Sequence, residues 1–139
     1  MKRSSIAGLH FRKELGRTGG EDTFFFASLH NKGGKIAYAP DALVTEPVPK
    51  DRARLSWLIK RHFRSGQTHG LLLLEKTGAN PLMRAQNIAL ALIKAIFCFI
   101  MVVPTMIKSA RAHYWFLRGI MHMGVVARLL GKREIEQYG

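Results

Sequence analysis

Two adjacent carboxylates, Glu21 and Asp22, follow Gly19 and Gly20 and precede the apolar run Phe24-Phe25-Phe26. Paired glycines let the backbone turn tightly, and a helix starting there holds both acids in its first turn, where the helix dipole favours the ionised form. An ionised carboxylate is an acceptor-only group, suited to drawing a proton from a hydroxyl as a general base. The same spacing equally suits plain helix capping, since acids are favoured in any first turn. His10, His30, His62, His69, His113 and His122 have no spacing that builds a zinc site. Cys98, the single cysteine, excludes an internal disulfide framework and reads as a small hydrophobe inside an apolar run.

These residues need elements to hold them. Acidic residues at 21–22, an apolar middle, Lys32 and then Gly33-Gly34 predict a short helix. Lys35-Ile36-Ala37-Tyr38-Ala39 alternates like a strand, Pro40-Asp41 turns the chain, and Ala42-Leu43-Val44-Thr45 reads as a second extended piece that Pro47 and Pro49 stop. A helix follows from about Asp51, carrying Leu55, Trp57, Leu58, Ile59 and Phe63 among five Lys/Arg, with Gly66 and Gly70 weakening its far end. From Ile88 to Ile107 the only charge is Lys94 and the only proline Pro104, and about 20 apolar residues suffice to span a bilayer. Lys94, about two turns into this run, can extend its ammonium toward the headgroups. The other reading of the run is a buried core helix. Tyr114–Leu130 makes a second, amphipathic segment, with Arg111, Arg118 and His122 on one stripe.

The chain's 139 residues and 15.7 kDa allow one small domain or part of a larger one, and exclude a complete two-domain enzyme. Lys+Arg 22 against Asp+Glu 9 leaves a net charge of +13, which is +3 over residues 1–50 and +10 over 51–139. A basic excess fits an anionic membrane or nucleic acid equally. The apolar run favours the membrane. The aromatics cluster in apolar segments such as Tyr114-Trp115-Phe116 instead of interleaving with Lys/Arg, so no nucleic-acid partner is expected. The first apolar stretch, Ile6–Leu9, is too short for a signal peptide's apolar core. Positive charge flanks both ends of the long run, which favours helices embedded from the cytoplasmic side, with full spanning as the second topology.

The order Thr18-Gly19-Gly20-Glu21-Asp22-Thr23, Leu29-His30, Lys32-Gly33, Ile36-Ala37-Tyr38-Ala39-Pro40, Glu46-Pro47-Val48-Pro49 and Arg52…Trp57-Leu58…Arg61…Phe63-Arg64-Ser65-Gly66-Gln67 resembles the C-terminal part of family-2 glycosyltransferases. The likeness is to the bacterial, membrane-associated members that build exopolysaccharide and cell-surface glycans. It covers about residues 8–70, and the tail is similar in character only.

The resemblance implies an α/β fold class: the C-terminal fragment of a GT-A-like sugar-nucleotide fold, followed by long membrane-associated helices. Residues 1–70 would be the C-terminal part of the catalytic domain and 71–139 the membrane-associated region. Asp22 would be the base that deprotonates the acceptor hydroxyl, and Glu21 would orient the site or touch the acceptor. The implied partners are a nucleotide-sugar donor, a lipid-linked or glycan acceptor and an anionic membrane, at the cytoplasmic face of the inner membrane. A divalent cation, magnesium or manganese, is the implied cofactor. Glu46 holds a place like that of a metal-ligating His in such enzymes; its other reading is an exposed strand-end acid. Arg61 and Arg64, three apart on one helix face, suit a diphosphate or a lipid phosphate, or else form a solvated basic face. Trp57 is a sugar-stacking platform or a packing residue.

Two features depart from the family. Nothing matches the upstream nucleotide-binding half or its Asp-x-Asp motif, so the chain looks like a C-terminal fragment, inactive without that half. The Gln-x-x-Arg-Trp motif of processive synthases is absent too, which favours a single-addition transferase. The alternative class is a non-catalytic basic protein that binds membranes or nucleic acid.

Overall fold

In the computed structural model, residues 6, 8–16, 18–78 and 80–136 are described. They form a 3-10 turn, Lys13–Leu15, and four helices: α1 (Glu21–Asn31), α2 (Leu55–Thr77), α3 (Pro81–Thr105) and α4 (Ser109–Leu129). No strand occurs among the described residues, so the α/β, GT-A-like class is overturned in favour of an all-helical fold. The physical reason lies in residues 35–54. They are extended or turning, as their alternation suggests, but a strand must share its N–H and C=O groups with a neighbour, and none lies alongside. Tyr38 and Leu43 are each 90% exposed and Val44 is 91% exposed.

Both ends of α1 and the start of α3 have local causes. Gly20, at φ 92°, precedes α1, and Gly33, at φ 79°, follows its end. The Gly33 and Gly34 N–H groups donate to the carbonyls of His30 and Leu29, satisfying last-turn acceptors. Asn80 caps α3, its Oδ1 accepting from the Leu82 and Met83 N–H groups at 3.0 and 3.2 Å, with Pro81 pre-set in the first turn. That cap starts α3 seven residues before Ile88, so Lys94 stands near the middle of the helix and not close to its start.

α4 is the central helix, packed against α2 on one side and α3 on the other, while α2 and α3 touch only lightly. The α2–α4 crossing is backbone on backbone. A Cβ on Gly66 would collide with the Met121 carbonyl and meet the Gly124 Cα at 3.0 Å, and a Cβ on Gly124 would collide with the Phe63 carbonyl. Gly70 faces the Val125 carbonyl in the same seam, at 3.0 Å from where its Cβ would be. Gly66 and Gly70 therefore do not weaken the far end of α2: the helix runs through both, and their missing side chains set the crossing. Below the seam, Val125, Val126 and Leu129 of α4 and Ala91 of α3 form a buried cluster that Leu73, Leu74 and Ile88 help to cover.

Candidate functional site

The acidic pair is positioned by the turn at residues 18–20, which lies against α2 just before α1 begins. Gly19 and Gly20 both have positive φ, 74° and 92°, and both lie flat against α2. A Cβ on Gly20 would meet Thr68 Cγ2 at 2.7 Å, and one on Gly19 would collide with the Arg64 guanidinium. Arg64 Nη1 donates to the Thr18 carbonyl, tying the turn down. Further along, Arg12 reaches Glu75 through two hydrogen bonds of 2.5 and 3.0 Å, and Phe11 stacks on Phe25 at 4.5 Å between ring centres. Phe24, Phe25 and Leu29 are buried beneath, so the inward stripe of α1 fixes which way its first turn faces.

That first turn opens on a cavity of about 220 Å³ lined by Gly20, Asp22, Arg61, Arg64, Thr68 and His69, among others. Asp22 is exposed at this cavity. Its Oδ1 accepts from the Thr23 N–H at 2.7 Å and the Thr23 hydroxyl at 3.3 Å; its Oδ2 has no hydrogen bond among the described residues. Glu21 turns the other way: it is half-buried, and its Oε2 is buried with no hydrogen-bond partner among the described residues. Three of the sequence-predicted residues, Asp22, Arg61 and Arg64, thus share one cavity. Trp57 is not in its wall; it lies under the Arg61 guanidinium at 5.2 Å, one turn earlier on α2.

Glu46 lies apart, on the exposed stretch between the helices, 3.9 Å from Arg52 and with its side chain 79% exposed. No three His, Cys, Asp or Glu side chains converge to hold a metal ion among the described residues. Glu46 thus belongs to no cluster of three such side chains among the described residues, and no chemical step is derived through a cation.

His69, Ser65 and Thr68 are cavity residues that the sequence reading left out. The signal was there: Arg61, Ser65, Thr68, His69 and Leu72 recur at helical spacing on one stripe of α2. Burial, and then Lys94 nearby, push the His69 imidazole below its ordinary value, so it favours the neutral form that can accept or donate. The cavity wall thus combines one acidic residue with two arginines, a residue set suited to a hydroxyl at Asp22 and an anionic phosphate at Arg61 and Arg64.

α3 is the one helix among the described residues that is long and apolar enough to cross a membrane, with a mean hydropathy of 2.4 over its best window and 17% of that window buried. At about 1.5 Å per residue its 25 residues reach some 37 Å, against a hydrocarbon core of about 30 Å.

No protein-family model matches the sequence, and no solved structure matches it. The chain is similar to the succinoglycan biosynthesis protein ExoM of Rhizobium meliloti (strain 1021), with 52% identity over 136 residues. The match takes in 98% of this chain and 43% of that protein, so the chain spans less than half the length of the curated relative it matches.

Proposed function

We propose that the chain is the acceptor-side part of a family-2-type glycosyltransferase of exopolysaccharide assembly, with Asp22 as the general base. The observation that carries this reading is the shared cavity: an exposed carboxylate, braced by Thr23, in one lining with Arg61 and Arg64. The 52% identity to a succinoglycan biosynthesis protein supports the polysaccharide context. An acceptor sugar hydroxyl is a poor nucleophile, and a carboxylate within hydrogen-bond reach removes its proton as the bond to the donor's anomeric carbon forms. The donor is a nucleotide-activated sugar, whose departing diphosphate gathers negative charge that Arg61 and Arg64 offset. Glu21 orients the first turn of α1 behind Asp22, and Trp57 holds Arg61 from below. The acceptor is a lipid-linked or cell-surface glycan, met at the cytoplasmic face of the inner membrane, where α3 anchors the chain in an anionic bilayer; nucleic acid is no partner. Residues 1–70 serve the chemistry and 71–139 the membrane. Transfer belongs to the longer protein, with magnesium or manganese as its divalent cation and Glu46 as the residue of this chain placed to serve as one ligand.

The test is a chimera. The 136 matching residues of the succinoglycan biosynthesis protein are replaced by this chain's, and polysaccharide synthesis is measured in cells lacking the original. The chimera is expected to restore synthesis, and Asp22→Asn within it, which keeps the shape and removes the proton acceptor, is expected to abolish synthesis at unchanged protein level. Undiminished synthesis by the Asp22→Asn chimera removes Asp22 from the mechanism. A wild-type chimera that accumulates in the membrane yet makes no polysaccharide removes the assignment itself.

A further inference from the structure

Lys94 is a charge without an evident reason in a helix apolar enough to cross a membrane. Near the middle of α3 it lies roughly 16–20 Å along the axis from either end, further than a lysine stem extends to bring its ammonium to the headgroups. It lines two cavities instead, and His122 of α4 is in the walls of both. The larger, about 360 Å³, adds Arg118 together with the apolar walls Ile93, Phe97 and Cys98; the smaller, about 130 Å³, adds His69 of α2. No acidic residue lines either cavity, and no ion pair of Lys94, Arg118 or His122 occurs among the described residues. Arg118 is held in place by the Tyr114 hydroxyl, to which its Nη1 donates at 2.7 Å.

Burial, and then the nearby Lys94 and Arg118, push the His122 imidazole below its ordinary value. It stands as a neutral hydrogen-bonding group beside two cations, Lys94 and Arg118, which call for a counter-charge at the level of an apolar helix face. The walls say what carries it. Ile93 and Phe97 are 63% and 54% exposed and continue into Ile100, so the larger cavity is cationic on its α4 side and apolar on its outer side. Such a pairing suits an amphiphile with an anionic head. Arginine and lysine together suit the several oxygens of a phosphate better than a single point of charge. We propose that the cavity between α3 and α4 binds the phosphate headgroup of a membrane lipid through Lys94, Arg118 and His122, with the lipid's hydrocarbon chains lying along Ile93, Phe97 and Ile100. The site depends on α3 lying in the bilayer and stands whether or not Asp22 is a base.

The experiment uses the full 139-residue chain in neutral detergent micelles, titrated with a short-chain phosphatidic acid, with phosphatidylcholine of the same chains, and with inorganic phosphate. Tryptophan emission is one readout, since the Trp115 ring meets Phe97 edge-on at 5.8 Å, and native mass spectrometry counts bound lipid. The expected result is saturable binding of phosphatidic acid, at least about tenfold tighter than phosphatidylcholine, with no response to inorganic phosphate at equal concentration. Lys94→Met and His122→Gln each weaken it about tenfold, while Arg111→Gln, on α4 but outside both cavities, leaves it unchanged. Should Lys94→Met lose helix by circular dichroism, His122→Gln and Arg118→Gln decide the matter. Inorganic phosphate binding as tightly as the lipid overturns the lipid assignment, and Arg111→Gln weakening the lipid as much as Lys94→Met overturns the site.

Discussion

Glu21 and Asp22 are adjacent in sequence and opposite in circumstance. One faces the protein with a buried oxygen, and the other opens on a cavity with two arginines. Sequence spacing places both in a first turn but cannot say which one the fold will cover, because that depends on how Gly19 and Gly20 lie against Arg64 and Thr68. Gln67 is a second residue whose role comes from contact alone. It is 1% exposed, its Nε2 donates to the Arg133 carbonyl at 2.9 Å, and its Oε1 accepts from the Ile135 N–H at 3.0 Å. The amide thus satisfies two backbone groups of the segment that follows α4. Gln67→Leu keeps much of the volume and strands both partners, so it is expected to lower stability by about 2–3 kcal/mol. Chemical denaturation in detergent reads this, and limited proteolysis is expected to cut after α4 earlier than in wild type. A melting curve matching wild type would show that the two hydrogen bonds hold nothing.

At the scale of elements, the crossing of α2 and α4 decides the architecture. Two opposing effects act at Gly66: alanine is worth about 1 kcal/mol more than glycine in a helix interior, while overpacking a tight contact costs about 1–3 kcal/mol or more. The obstructing atoms are the Met121 carbonyl and the Gly124 Cα, both backbone, which cannot swing aside as a side chain would. Overpacking wins. Gly66→Ala and Gly124→Ala are each expected to destabilise by about 2 kcal/mol, and the double variant by less than the sum, since one separation of the helices relieves both clashes. Thermal unfolding of the three variants checks the sign and the shortfall; full additivity would mean the two glycines do not share one contact. In sequence these glycines look like helix breakers, as their intrinsic propensity says, and only their four-residue spacing, 66 and 70, hints at a close crossing. The elements that were legible, α1 and the long apolar helix, are those whose boundaries come from local chemistry. The sheet is not legible in the sequence, because alternation in 35–45 specifies an extended backbone and not the neighbour that would make it a strand.

For the whole molecule, the decisive quantity is apolar surface that nothing in the fold covers. α4 lies between α2 and α3, so α3 has one protected face, where Ala91, Ala95 and Cys98 are buried, and one open face bearing Leu90, Ile93, Ile96, Phe97, Ile100 and Val103. A core helix of a protein in water would be enclosed on both. In the proposed membrane setting, the basic excess would draw the molecule to an anionic surface and the open face would give it depth. The chain is therefore expected to stay with the membrane pellet after an alkaline carbonate wash, which strips proteins held by charge alone. An acid at the centre of a spanning helix costs about 2.5–3.5 kcal/mol, so Ile96→Asp with Ile100→Asp is expected to move a large share of the chain to the supernatant. Val44→Asp, on the equally exposed stretch between α1 and α2, changes nothing, because that stretch has no helix to insert. Release of the wild-type chain by the wash would place α3's open face against another protein surface instead of lipid, and the phosphate-headgroup site would fall with it.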